Sequence, residues 1–276
     1  MPADAQLQPL WKVALPELVS LSNEAFADYF VPVRFTEPSL LSFLALMGIS
    51  WDLSRVMLKK DRPVGFILIA RRGWSMRVAS MGVLPDHRNH GHGSRMLANV
   101  IDKGRTRGDR FLELEVITTN STAVKLYKAT GFEVIQDLYG FRRKAAEAGK
   151  VFPLEKVDIR AVAHRVAASG ARDLPWQLSA ETLACYGPPS IAMQLNGAYA
   201  VISDPGQSSI TLLSLIVEPD RRGEGRGRAL LNSLLTTYSE KDFTIPAICP
   251  AEFELLFKSV GFERVDLSQH HMRLNL

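Results

Sequence analysis

The sequence predicts an α/β protein of the α+β type, built from two tandem copies of one small sheet-and-helix unit. Three observations carry this: a glycine-rich segment that recurs at a fixed offset, a strand–turn–helix pattern around each occurrence, and strand hairpins upstream of both. At 276 residues the chain has room for two ordinary domains, and a hydrophobic content of 46% can fill two cores.

The recurrence can be read directly. "VLPDHRNHGHGSRML" begins at Val83 and "VEPDRRGEGRGRALL" at Val217, so Pro85 and Arg88 return as Pro219 and Arg222, each 134 positions later. Met96, Leu97, Val100 and Ile101 follow the first as an amphipathic stripe, and Leu230, Leu231, Leu234 and Leu235 repeat it at helical spacing. A second correspondence pairs "LYKATGF" at Leu126 with "LFKSVGF" at Leu256, offset by 130, so the later copy is four residues shorter between its motifs. Both read as helix ends, with Gly131 or Gly261 in the left-handed conformation that closes a helix and a Phe opening the next strand. Pro250 is expected in the first turn of the second of these helices.

Strands are expected at Arg55 to Lys60, Val64 to Arg71 and Met76 to Val83, an antiparallel meander whose first turn is "DRP". In the second copy, Ile191 to Leu195 and Ala198 to Ser203 flank Asn196-Gly197, a strong two-residue hairpin signal, and Ser209 to Val217 leads into the second glycine-rich turn. The segment "KAAEAGK", Lys144 to Lys150, is the natural linker and is compatible with a short helix. The expected division is 1–147 and 148–276.

Composition excludes several classes. The apolar neighbourhood Leu40 to Trp51 is broken by Ser42, Gly48 and Ser50 and is too short for a membrane span of about 20 residues. The first residues lack the basic start and apolar run of a signal peptide. Two cysteines, Cys185 and Cys249, form neither a CxxC nor a disulfide framework, which suits a reducing cytoplasm. A net charge of +4 suits a small polyanionic ligand without pointing to nucleic acid or a membrane.

The chemistry concentrates after Val83. "RNHGHG", Arg88 to Gly93, opens a helix directly after a strand, so backbone N–H groups and the positive helix end converge where a phosphate can bind. Gly91 and Gly93 keep side chains away from those amides, and Arg88 is expected to add charge-assisted bonds. No GK[ST] follows for a Walker loop, and Met96 and Leu230 occupy the last glycine of a dinucleotide fingerprint. His90 and His92, two residues apart in a glycine loop, do not make a metal site, and none is expected.

The order V-x-P-x-x-R-x-x-G-x-G, helix, strand, N-x-x-A-x-x-L-Y-x-x-x-G-F resembles the GNAT acetyltransferase superfamily. Here it is Val83, Pro85, Arg88, Gly91 and Gly93, then Asn120, Ala123, Leu126, Tyr127, Gly131 and Phe132. The resemblance implies two tandem folds, each a mixed, mostly antiparallel splayed sheet flanked by helices. Acyl-CoA, expected as acetyl-CoA, would wedge between two strands with its pyrophosphate on Asn89, His90, Gly91, His92, Gly93 and Ser94. Its pantetheine would lie along Met81, Gly82 and Val83, braced by Asn120, with a strand N–H polarising the thioester carbonyl.

The same resemblance makes Tyr127 the general acid for the departing thiolate. Glu115 is the candidate base: in "LELEV", Leu112, Leu114 and Val116 share one face and leave Glu113 and Glu115 on the other. It also matches the proton acceptor proposed in ribosomal-protein alanine acetyltransferases. A solvated strand carboxylate is the plainer alternative for Glu115. Tyr29, Phe30 and Phe35, in the segment that lines the acceptor cleft in this family, suit either an acceptor or a core.

The second copy resembles a degenerate partner, as in tandem enzymes similar to mycothiol synthase, where the copies take opposite roles. Phe257 stands at the Tyr127 position, Pro250 at Asn120 and Ile245 at Glu115. The expected activity is acyl transfer from acyl-CoA to a small-molecule or peptide amine in the first copy. A CoA-binding sensor or an interaction scaffold remains the alternative, and the oligomeric state is open.

Overall fold

The computed structural model describes residues 5–146 and 152–276, and its chain divides into two compact units. The first comprises Met1–Ile135 with His271–Leu276, and the second Gln136–His270. The expected division at 147/148, and most of the expected linker, lies outside the described residues. The compact division differs from simple halves because the last six residues return to the first unit, while the chain enters the second at Gln136, within a strand.

The first unit begins with strand β1 (Ala5–Pro9), helix α1 (Leu15–Ala25), helix α2 (Glu37–Met47) and strands β2 (Arg55–Lys59), β3 (Arg62–Arg72) and β4 (Ser75–Val83). Helix α3 (His92–Arg107), β5 (Phe111–Ile117), α4 (Ser121–Ala129) and β6 (Glu133–Arg143) follow. Strands β1 to β4 form an antiparallel meander, and β5 joins β4 in parallel.

The second unit carries β7 (Glu155–Val157), α5 (Ile159–Ala168), α6 (Ala180–Leu183), β8 (Ile191–Leu195), β9 (Ala198–Ile202) and β10 (Ser209–Val217). It continues with α7 (Arg226–Thr237), β11 (Asp242–Pro250), α8 (Glu254–Lys258) and β12 (Glu263–Asn275). Strands β7 to β10 are successively antiparallel, β10 meets β11 in parallel, and β6 pairs antiparallel with β11. The expected hairpin forms, with Asn196 and Gly197 at φ 49° and 80°, the two positive dihedrals of a type I′ turn.

Local signals explain where the helices lie. Thr36 and Ser39 form a reciprocal capping box for α2, which stops at Gly48 in the left-handed region. The stripe Met96, Leu97, Val100 and Ile101 buries one side of α3 against Ile67 and Ile69 of β3 and Leu112 and Leu114 of β5. At about 1.5–3 kcal/mol for each fully buried side chain, those four contribute on the order of 6–12 kcal/mol, an upper estimate. Leu230, Leu231, Leu234 and Leu235 do the same for α7. Met272 and Leu274, from the end of the chain, complete the first core.

One helix start needs correction. Pro250 ends strand β11, opposite Leu138, and precedes a single 3₁₀ turn, so the α-helix begins only at Glu254. Strand pairing across to β6 outweighs the helix-starting preference of the proline.

Candidate active site

The candidate site begins at a bulge. The register between β3 and β4 shifts between Leu68 and Ile69, leaving Ala79 as an extra residue, and this bends β4. Strand β5 pairs with β4 only from Ser75 to Arg77, opposite Phe111 to Glu113. Met81, Gly82 and Val83, the expected pantetheine strand, pair with β3 and lie past the end of the β5 ladder. Gly82 is needed for packing: a Cβ there would stand 2.9 Å from Ala25 Cβ and 3.0 Å from the Phe66 ring.

Beyond Val83 the chain makes a 3₁₀ turn, Pro85–His87, and enters α3 through Asn89 at φ 62° and Gly91 at φ 75°. Gly91 is the N-cap residue and gives α3 no side-chain cap, while its carbonyl accepts the N–H of Arg95. The amides of His92, Gly93 and Ser94, the first of the helix, therefore face outward with no side chain capping them, at the positive end of the α3 macrodipole. That is an anion-receiving geometry.

Two side chains of this loop are held by the protein itself. Arg88 does not project toward an anion: its guanidinium donates to the Val83 carbonyl at 3.2 Å, to the Ala25 carbonyl at 3.1 Å and to both Asp28 oxygens at 2.5 and 2.7 Å. It braces the turn against the end of α1, paired with a carboxylate three residues past that helix. Asp28 went unnoticed in the sequence, where nothing in "NEAFADYF" marks its partner. The His92 ring is buried, its Nε2 has no partner, and the His87 and His90 rings lie 6.4 and 6.2 Å away. Burial first, and those two histidines next, push its pKa down. His90 turns its Nδ1 to the Arg88 carbonyl at 2.7 Å.

Asn120 caps α4, its Oδ1 accepting the Ala123 N–H at 3.2 Å, and the Tyr29 phenol lies near its side chain. Tyr127 is buried, with the Phe132 ring 5.6 Å away. Burial, then the nearby Tyr29 phenol, raise its pKa and keep it protonated. Tyr29 thus joins Asn120 and Tyr127, whereas Phe30 is exposed and Phe35 packs on Phe43. The loop between them is held by Asn23, whose amide both accepts the Phe35 N–H and donates to its carbonyl.

Glu115 departs most from expectation. Its face of β5 is not solvated: its carboxylate receives Arg77 Nη2 at 2.5 Å and Nε at 2.7 Å, with side chains only 2% and 6% exposed. Glu113, beside it, is bound by Arg273 at 2.6 Å and lies 3.6 Å from His271. Burial alone would raise the Glu113 pKa, but His271 and Arg273 outweigh it and hold the carboxyl below its usual range. Alternation correctly placed both carboxylates on one face; it could not show the arginines waiting there.

The second unit repeats the backbone with different side chains. A shift at Leu212/Ser214 bends β10, and β11 pairs with it only from Ser209 to Thr211. Gly223 and Gly225 take φ 79° and 75°, and α7 likewise begins without a side-chain cap. Phe257 is buried with Phe262 at 5.7 Å, the arrangement of Tyr127 and Phe132 without the hydroxyl. Among the described residues, no group of three or more His, Cys, Asp or Glu is placed to hold a metal ion, and no helix is long and apolar enough to cross a membrane.

Comparison with known proteins agrees with this geometry. Residues 18–132 match the model of the acetyltransferase (GNAT) family. Over its full length the chain is similar to a GCN5-related N-acetyltransferase from Sphaerobacter thermophilus, with TM-score 0.72, 12% identity and 96% of that chain covered. It is similar to a tandem GNAT protein from the clavulanic acid biosynthesis pathway, with TM-score 0.65 and 14% identity over 99% of this chain and 98% of that one. A GCN5-related N-acetyltransferase from Kribbella flavida matches 98% of this chain and 70% of its own, with TM-score 0.62 and 16% identity. The likeness at these identities is one of fold, and the family match lies in the first unit, so the chain carries a tandem GNAT fold in which residues 18–132 match the GNAT acetyltransferase family.

Proposed function

We propose that the first unit moves an acetyl or other short acyl group from acyl-CoA to a primary amine by direct transfer in a ternary complex. The observation that carries this is the uncapped start of α3 behind Asn89 and Gly91, beside a strand edge that β5 has left. The amides of His92, Gly93 and Ser94 fit a pyrophosphate, and the backbone of Met81 to Val83 fits the pantetheine arm.

Acyl-CoA supplies an activated thioester. A strand N–H near Met81 polarises its carbonyl and stabilises the oxyanion that forms when the amine nitrogen attacks. As the carbon–sulfur bond breaks, Tyr127 donates its proton to the departing sulfur, and its burial keeps it in the phenol form that this requires. Tyr29 lies near the phenol, and Asn120 caps α4, the helix that carries it. Because Glu115 is committed to Arg77, we assign the ammonium proton to water and the ion pair to positioning.

The test is thiol release from acetyl-CoA across an amine panel, with calorimetry of CoA binding alongside. Tyr127→Phe should lower turnover about 10²–10⁴-fold and leave CoA affinity within about threefold. Unchanged turnover in that variant would remove Tyr127 from the mechanism, and CoA binding without any thiol release would favour a sensor.

A further inference from the structure

A cavity of about 490 Å³ lies within the second unit, a size common for small-molecule sites. Leu212, Leu215, Ile248, Cys249 and Phe257 supply part of an apolar wall. The positions that carry polar chemistry in the first unit are here Phe257, Pro250 and Ile245, all of which line the cavity. The Cys249 thiol adds no charge, since burial pushes its pKa up to about 12.

The mouth carries the informative difference. In both units an arginine after the bulged strand donates to that strand's last carbonyl and to a carbonyl at the end of the unit's first α-helix. Arg88 uses Val83 and Ala25, and Arg222 uses Val217 at 3.2 Å and Ser169 at 3.4 Å. Three residues beyond the helix carbonyl, the first unit has Asp28, which neutralises Arg88, whereas the second has Arg172. Arg172 and Arg222 both line the cavity, and neither has a carboxylate within ion-pair distance among the described residues. Two acidic residues, Asp173 and Glu252, also border it. Where the first unit has an ion pair, the second has two guanidinium groups beside a cavity with an apolar wall, an arrangement that suits a carboxylate head and an apolar body.

We propose that the cavity of the second unit binds an apolar carboxylic acid, its carboxylate held by Arg172 and Arg222 and its hydrocarbon against Leu215, Cys249 and Phe257. This site does not depend on acyl transfer in the first unit, so failure of either proposal leaves the other standing. The probe is octanoate, titrated into the full chain by calorimetry, with CoA in a parallel arm.

Wild-type protein should bind octanoate, and Arg172→Asp, which recreates the neutral pair of the first unit on an exposed position, should weaken it at least about tenfold. Leu215→Trp, which fills the cavity, should abolish binding, with circular dichroism confirming that both variants fold. In a Cys185→Ser background, octanoate should slow modification of Cys249 by a thiol reagent. Equal affinity in Arg172→Asp, no binding to the wild type, or no protection of Cys249 would each overturn the proposal. Displacement of octanoate by CoA lacking an acyl group would overturn it in favour of a nucleotide site.

Discussion

Deleting the Glu115 carboxylate while keeping Arg77 should destabilise the first unit by about 3–5 kcal/mol, the usual cost of stranding one member of a buried ion pair. Both side chains are almost fully enclosed, and two guanidinium nitrogens converge on one oxygen at 2.5 and 2.7 Å. At an effective dielectric of about 20 and a charge separation of about 4 Å, the lost attraction is about 4 kcal/mol. The remaining guanidinium keeps its desolvation cost, with the Met47 sulfur at 3.8 Å as a weak acceptor. Urea unfolding of Glu115→Ala, followed by circular dichroism, reads the loss. The double variant Arg77→Met/Glu115→Leu should recover most of it, because similar apolar volume removes both desolvation penalties. A loss below about 1 kcal/mol, typical of an exposed pair, would refute this reasoning, as would a double variant no better than the single. In activity assays Glu115→Gln should keep the shape of the pH–rate profile; loss of its acidic limb would return Glu115 to the role of base.

Two further outcomes follow from the same geometry. His92 has a folded-state pKa below its unfolded value of about 6.5, so the unfolded chain binds the proton more readily. Stability should be full above about pH 6.5 and fall as pH drops from there toward the folded pKa, and urea midpoints of His92→Gln should lose that component of the pH dependence. Deleting residues 271–276 removes Met272 and Leu274 from the first core and takes Arg273 and His271 from Glu113. The expected loss is at least about 3–6 kcal/mol from the two apolar side chains, read as a lowered urea midpoint, and an unchanged midpoint would refute it.

The features legible in the sequence are those whose cause is local. The stripes of α3 and α7 came from period alone, the Asn196-Gly197 hairpin from two residues that tolerate positive φ, and the left-handed turn before each of those helices from its glycines. The strands expected in the two meanders also formed, with ends shifted by a residue or two, whereas β1, β7 and β11 were not expected. The bulges in β4 and β10 were not marked, because a one-residue register shift depends on the partner strand.

By itself the sequence determined the duplicated unit and the glycine turn that opens α3 and α7, since backbone dihedrals and burial periodicity are properties of neighbouring residues. Only tertiary structure decided the partners. It gave Arg88 to Asp28, Glu115 to Arg77, Pro250 to a strand and the last six residues to the first unit. Whether a charged side chain serves a ligand or the fold depends on which opposite charge reaches it first in space, and spacing along the chain does not carry that distance.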